Sequence, residues 1–182
     1  MNEKQISHKI NNKGKYGVVL AMHGAPPLGF PQEEIMELMG LHQRLHGASA
    51  AEKRRLKIRH DELENKVRRF PRTPENDPFY AASLSMAESL SLELDTRVFV
   101  GFNEFCAPTI SEAIASAAAL KPEKIIVITP MMTPGGEHAE KDIPASLERA
   151  RKRFPEIEIL YAWPFPKKEV AAFLASQIRR FH

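Results

Sequence analysis

Four short runs of apolar, largely β-branched residues recur along the chain, at Tyr16 to Met22, Thr96 to Phe102, Lys124 to Thr129 and Ile157 to Ala162. Each is nearly continuous in hydrophobicity, the pattern of strands buried on both faces rather than on one. Stretches of helical periodicity separate the runs, so the order reads βαβαβαβα. The expected fold class is α/β, an open parallel sheet of about four strands flanked by helices.

The helices carry their own boundary signals. Thr109 and Glu112 have capping-box spacing ahead of Ile110, Ala113, Ile114 and Ala117. Asp142 with Pro144 opens a helix whose stripe is Ile143, Leu147, Ala150 and Phe154, and Pro155 stops it. Asp77-Pro78 opens another, with Phe79, Ser83, Met86, Leu90 and Leu94 as the expected inward face. A last helix is expected from about Lys168 to Phe181.

Residues 26–78 break the alternation. They enter through Pro26-Pro27-Leu28-Gly29-Phe30-Pro31 and continue as two charged helical segments split by Gly47, the second capped by Ser49 and Glu52 with Leu56, Leu63, Val67 and Phe70 on one narrow face. This segment reads as a helical hairpin inserted between the first strand and its helix. The whole of 1–182 is expected to be a single domain, with the polar residues 1–15 as a flexible tail.

Composition narrows the chemistry. Hydrophobic residues make up 43% and charged residues 27%, values of an ordinary globular protein. No apolar run approaches the roughly 18 to 20 residues that span a bilayer, and Met1-Asn2-Glu3-Lys4 is not a signal-peptide start, so no membrane association and a cytoplasmic location are expected. Cys106 is the single cysteine, which excludes an internal disulfide and a thiolate zinc site. Any metal must therefore be held by His and carboxylate.

In an open parallel sheet, ligands bind beyond the carboxyl ends of the strands. His23-Gly24 follows the first run, Asn103-Glu104-Phe105 the second, Met131 to His138 the third and Trp163-Pro164-Phe165-Pro166 the fourth. Two neutral imidazoles and a carboxylate suit a borderline divalent ion such as Co²⁺, Fe²⁺, Ni²⁺ or Zn²⁺, and three protein ligands leave coordination positions open for exchange. His23, Glu104 and His138 are the candidate metal and catalytic residues. Met131, Met132, Trp163 and Phe165 either line an apolar pocket beside them or pack under the loops.

The strand-His-Gly start at Val18 to Gly24, the segment Gly101-Phe102-Asn103-Glu104 followed by Pro108 and Glu112, and Gly136-Glu137-His138-Ala139-Glu140-Lys141-Asp142-Ile143-Pro144 resemble the sirohydrochlorin cobalt and iron chelatases, the class II tetrapyrrole chelatases. The resemblance covers residues 16–25 and 79–182. It implies a chelatase-like fold and an ATP-independent lyase that inserts Co²⁺ or Fe²⁺ into a sirohydrochlorin-like tetrapyrrole in cobalamin or sirohaem biosynthesis. The divalent metal is then a substrate, with no organic cofactor. It further implies that His23 and His138 bind the metal and that Glu104 assists, with either imidazole or Glu104 taking the pyrrole protons. Larger members contain two copies of this core, so one copy implies either a homodimer or a monomer whose insertion covers the same face. The chain departs from the family at Ala25-Pro26-Pro27 and in the helical insertion. The alternative is a non-catalytic protein of the same fold that binds or carries metal or tetrapyrrole; a metal-dependent hydrolase would need Glu137 or Glu140 at the metal.

The other conspicuous residues have plainer readings. His42 and His46 lie four apart on a helix and are expected on a solvated face, and His60 at the surface. Residues 47–72 hold nine Lys and Arg against four Asp and Glu. Lacking interleaved aromatics, this stretch points away from nucleic acid. Placed over the site, a basic lid including Arg54, Arg55 and Arg59 would attract an anionic tetrapyrrole.

Overall fold

In the computed structural model residues 16–181 are described, with the side chain of His46 excepted; the expected tail at 1–15 and the last residue, His182, lie outside the described residues. Strands β1 (Tyr16–Met22), β2 (Val98–Phe102), β3 (Lys124–Ile128) and β4 (Glu158–Tyr161) form one sheet in the order β2-β1-β3-β4. All three pairings are parallel, with Leu20 beside Val100 on one side and Ile128 on the other. The chain leaves β1 towards one edge and returns across it to β3, so the topological switch lies beside the end of β1.

Among the described residues there are six α-helices: α1 (Gln32–Gly47), α2 (Ala50–Arg68), α3 (Pro78–Leu94), α4 (Ile110–Ala118), α5 (Ile143–Arg153) and α6 (Lys167–Ile178). On one face α4 and α5 bury Ile110, Ile114, Ile143 and Leu147 against Val19, Ile125, Val127 and Ile159. Gly101 permits this approach, because a Cβ there would lie 2.7 Å from the Ile110 Cα. The capping box of α4 is complete: Thr109 Oγ1 accepts from the Glu112 N–H, and Glu112 accepts from the Thr109 N–H. That second bond holds the Glu112 carboxyl below its ordinary range.

On the other face the burial pattern departs from expectation. Of the expected stripe on α3 only Ser83 is buried, together with Ala87, which lies off that stripe; Phe79 and Met86 are 39% and 54% exposed. Small side chains let α3 lie close over Val100 and Phe102, with Tyr80 stacked on Phe102 at 5.4 Å. Phe79, Met86 and Leu94 of the apolar pattern are turned outward, and Leu90 is half-buried. Helix α6 has no buried residue. Among the described residues no helix is long and apolar enough to cross a membrane.

Helices α1 and α2 fill the segment that breaks the alternation and make a small core of their own from Phe30, Ile35, Leu38, Leu41, Leu56, Leu63 and Val67. Ser49 caps α2 as its spacing suggested. The hairpin's ends are tied together, since the Leu28 N–H donates to the Asn76 carbonyl at 2.7 Å. Its exit is fixed by an ion pair between Arg72 and Asp77, whose side chains are only 5% and 2% exposed. The same guanidinium donates to the carbonyls of Ala25, Val67 and Phe105. Asp77 in turn caps α3 by accepting from the Tyr80 N–H.

Removing one member of a buried pair leaves the other charged and unsatisfied. Arg72→Ala should therefore lower stability by about 3 to 5 kcal/mol, read from urea denaturation followed by circular dichroism; a loss within experimental error of zero would contradict the clamp.

Candidate functional site

The expected residues meet where the topology changes direction. His23 follows β1, Glu104 follows the neighbouring β2, and His138 begins the helical turn reached from β3 on the other side. The backbone continues the β1–β2 ladder just past the strands: the Asn103 N–H donates to the Met22 carbonyl and the Glu104 N–H to the His23 carbonyl. This locks the loops bearing His23 and Glu104 in register.

His23 Nε2 lies 3.2 Å from Glu104 Oε1, and His138 Nε2 lies 3.7 Å from the same oxygen. The two imidazoles meet edge to face, with centroids 4.4 Å apart. Two donors each bound at about 2.1 Å to a tetrahedral ion lie about 3.4 Å apart, so these separations fit one shared ion. His23, Glu104 and His138 are each partly buried, and their donor atoms all lie within 4.8 Å of one another.

The far nitrogen of each ring is occupied. His23 Nδ1 is 2.7 Å from the Gly24 carbonyl, and His138 Nδ1 is 2.6 Å from Asp142 Oδ2. The Gly24 carbonyl favours a proton on His23 Nδ1; His138 Nδ1 stands between Asp142 Oδ2 and, at 2.7 Å, the side-chain amide of Asn103, and its donation to the Asp142 carboxylate leaves the Nε2 lone pair facing Glu104. Asp142 was expected to cap α5. Its side chain makes no cap bond and instead holds His138, with Asn103 Nδ2 donating to the same carboxylate oxygen at 3.3 Å. The sequence signal for this role was the i, i+4 spacing of His138 and Asp142.

Residues His138–Asp142 form one wide helical turn closed by the Ile143 N–H on the His138 carbonyl. Such turns recur at functional sites because they re-aim a side chain. Tyr161 steadies this one by donating to the Ala139 carbonyl at 3.1 Å, and burial pushes its hydroxyl up to about 12.

The three residues open into a cavity of about 830 Å³. One wall is the sheet end with α4 and α5, and the opposite wall is the hairpin, with Leu38, Met39 and His42 from α1 and His60, Glu64 and Arg68 from α2. Several expectations are corrected here. Of the two readings open for Met131, Met132, Trp163 and Phe165, the pocket-lining one fails, since none of them lines this cavity. Trp163 instead stacks on Tyr161 and donates to the Met131 carbonyl, and Met131 packs against the main core. Arg54, Arg55 and Arg59 are also off the wall, and Arg59 forms a bidentate pair with Glu37. The arginines that reach the cavity are Arg68 and Arg149. His60, expected at the surface, is only 13% exposed, and its ring packs at 5.8 Å from that of His42 on the facing helix. Glu137 and Glu140, the acids a hydrolase would need, pair with Lys141 and the Gly135 N–H and lie outside the cavity. Cys106 is fully buried, and that burial pushes its thiol up.

This fold and site define a class: a parallel α/β protein with an open His/His/carboxylate set at its topological switch. The CbiX family model matches residues 76–180, and the chain belongs to that family. It is 29% identical over 101 residues to the sirohydrochlorin cobaltochelatase of Priestia megaterium, covering 55% of this chain and 31% of that protein. A sirohydrochlorin cobaltochelatase of Methanopyrus kandleri is 44% identical over 50 residues, 28% of this chain and 34% of the relative. The chain thus spans about a third of the length of these curated relatives. Among solved structures, the CbiX protein of Marinobacter aquaeolei VT8 superposes with a TM-score of 0.53 at 13% identity, over 91% of this chain and 94% of that one. It shares the fold.

Gly24 adopts φ +102°, and a Cβ there would stand 1.9 Å from the Glu104 carbonyl oxygen. Gly24→Ala should cost about 2 kcal/mol or more, measured as a lowered midpoint of thermal unfolding; an unchanged midpoint would show that the two loops are not in this contact.

Proposed function

We propose that this chain is an ATP-independent chelatase that inserts Co²⁺ or Fe²⁺ into a sirohydrochlorin-like tetrapyrrole. The observation that carries the reading is the convergence of His23 Nε2, His138 Nε2 and Glu104 Oε1 on one point of an open cavity, with both Nδ1 atoms tied back to acceptors. Membership of the CbiX family and the relatives' activity as sirohydrochlorin chelatases support it.

The chemistry asks for little more than these groups. The ion is a substrate, so it must be bound, partly stripped of water and then released. Three protein ligands leave positions open, and neutral imidazoles at the spacing found here bind a first-row ion without trapping it. As the ring nitrogens replace protein ligands, two N–H protons leave the tetrapyrrole and one M²⁺ enters, so the macrocycle's net charge is unchanged. Glu104, freed as the ion departs, is the acceptor for one proton, and an imidazole, also freed, takes the other. Arg149 extends along the cavity wall with its Nη2 on Ser146 Oγ at 2.9 Å and, among the described residues, no carboxylate in ion-pair distance. It supplies a cation for a substrate carboxylate.

A cytoplasmic location and a homodimer belong to the same reading. The exposed Phe173, Leu174, Ile178 and Phe181 near the chain's end offer apolar area for a second copy. Residues 26–78 form the cavity's second wall and are read as an insertion within one chelatase-like domain.

His23→Ala and His138→Ala should each abolish multiple-turnover metallation of sirohydrochlorin, followed by its absorption spectrum, while circular dichroism stays unchanged. Full turnover in either variant sinks the assignment, and stoichiometric binding without turnover in the wild type would identify a carrier. Asp142→Asn should weaken Co²⁺ binding by about 10- to 100-fold, measured by isothermal titration. An unchanged affinity would mean that His138 is oriented by other contacts.

A further inference from the structure

The hairpin carries a second group of metal-ligand chemistry at the wall of the same cavity, which His60 and Glu64 line and Asp61 backs from the same helix. His60, Asp61 and Glu64 present donor atoms within 4.8 Å of one another. His60 Nδ1 stands 3.2 Å from Asp61 Oδ1 and 3.8 Å from Glu64 Oε2, separations close to the roughly 3.4 Å between two ligands of one ion. A second imidazole, that of His42, comes from the facing helix with its ring centroid 5.8 Å from that of His60. His42, His60 and Glu64 all line the cavity that holds His23, Glu104 and His138.

We propose that His60, Asp61 and Glu64, with His42 alongside, form a second divalent-metal site on the hairpin wall, a loading site from which the ion passes across the cavity to His23, Glu104 and His138. The metal binding stands on these residues alone; the loading role rests on the chelatase reading above.

The surroundings make this the weaker of the two sites. Lys57 pairs with Asp61 at 2.9 Å, and Arg68 donates to Glu64 Oε1 at 2.6 Å, so each carboxylate already shares its charge with a cation. Glu64 Oε2 is the oxygen turned toward His60, which leaves it to coordinate while Oε1 stays on Arg68. At the first site no lysine or arginine pairs with Glu104 among the described residues. An ion therefore gains by crossing from the hairpin to the sheet end. That order of affinity is what a transfer in one direction needs, because a tighter outer site would retain the metal.

The test uses Co²⁺ alone, titrated into the full chain by isothermal calorimetry, with the ligand-field absorption recorded in parallel. Wild type should bind two ions per chain, one tighter than the other. His60→Gln keeps a polar side chain of similar reach but removes the imidazole; it should lose the weaker ion and keep the tighter one. His42→Ala should loosen the weaker ion by about tenfold. The His23→Ala/His138→Ala double variant should do the reverse of His60→Gln, losing the tighter ion and keeping the weaker. Two ions retained in His60→Gln, or a single wild-type ion abolished by the double variant, overturns the second site and leaves the first standing. A double variant that still binds both ions overturns the first site instead.

Discussion

The carbonyl oxygens of the loop that bears Glu104 have no strand to pair with, and two arginines from the hairpin's exit satisfy them. Arg68 donates to the carbonyls of Asn103 and Cys106, and Arg72 to those of Phe105 and Ala25. Buried backbone acceptors left unpaired would each cost on the order of 1 to 3 kcal/mol, so the loop keeps its shape only while those guanidinium groups are in place. Their own charges are met by Glu64 and Asp77. Phe105, held at φ +56°, packs against the hairpin core from the same loop. The hairpin is thus more than a cover over the site. It supplies the donors that fix where Glu104 stands relative to His23.

The same logic of satisfied partners sets the chemistry of the imidazoles. A histidine whose two nitrogens both faced water would divide its proton between them and rotate freely. Here a backbone carbonyl at His23 and a carboxylate at His138 favour the proton on Nδ1 and restrict each ring. The two rings hold different second partners for a geometrical reason. His23 sits on a tight turn whose own carbonyl is within reach, whereas His138 begins a wide helical turn and finds its acceptor four residues later. A bound ion requires neutral imidazoles, so protons compete with the metal for the same two rings. In the proposed insertion, open coordination positions would let ring nitrogens enter before protein ligands leave.

Much of this was readable from the chain. The four strands were found within two residues of their observed ends because fully buried parallel strands leave continuous apolar runs, and the strand ends then named His23, Glu104 and His138. The failures have distinct physical causes. The expected face of α3 holds at Ser83 but not at its large residues, because periodicity counts large apolar side chains, while a helix lying close against a sheet selects small ones, here Ala87 beside Ser83. Asp142 had the spacing of a cap, but the side chain found a stronger partner in His138. His60 was assigned to solvent because charged neighbours surround it in sequence. Its burial comes from α1 and α2 folding back on each other, a contact that local sequence does not record. The four-residue spacing of His42 and His46 drew attention along one helix, whereas the imidazole packed with His42 belongs to the next.

Charge placement in the cavity follows from the same fold-back. The strongly basic run on α2 looked suited to drawing in an anionic substrate, yet its arginines turn away from the cavity, and Arg59 is spent on Glu37. What reaches the interior is Arg68, committed to the loop carbonyls, and Arg149 on the opposite wall. In the proposed reaction an anionic macrocycle would be held from the α5 side rather than from the hairpin. Held there, its carboxylates would stay clear of Glu64, and its ring nitrogens would be presented to the sheet end where the two tied imidazoles and Glu104 converge. The hairpin wall would be left to the ion. On these two proposals metal and macrocycle would approach the same three residues from opposite walls, so that each could be bound without displacing the other before insertion begins.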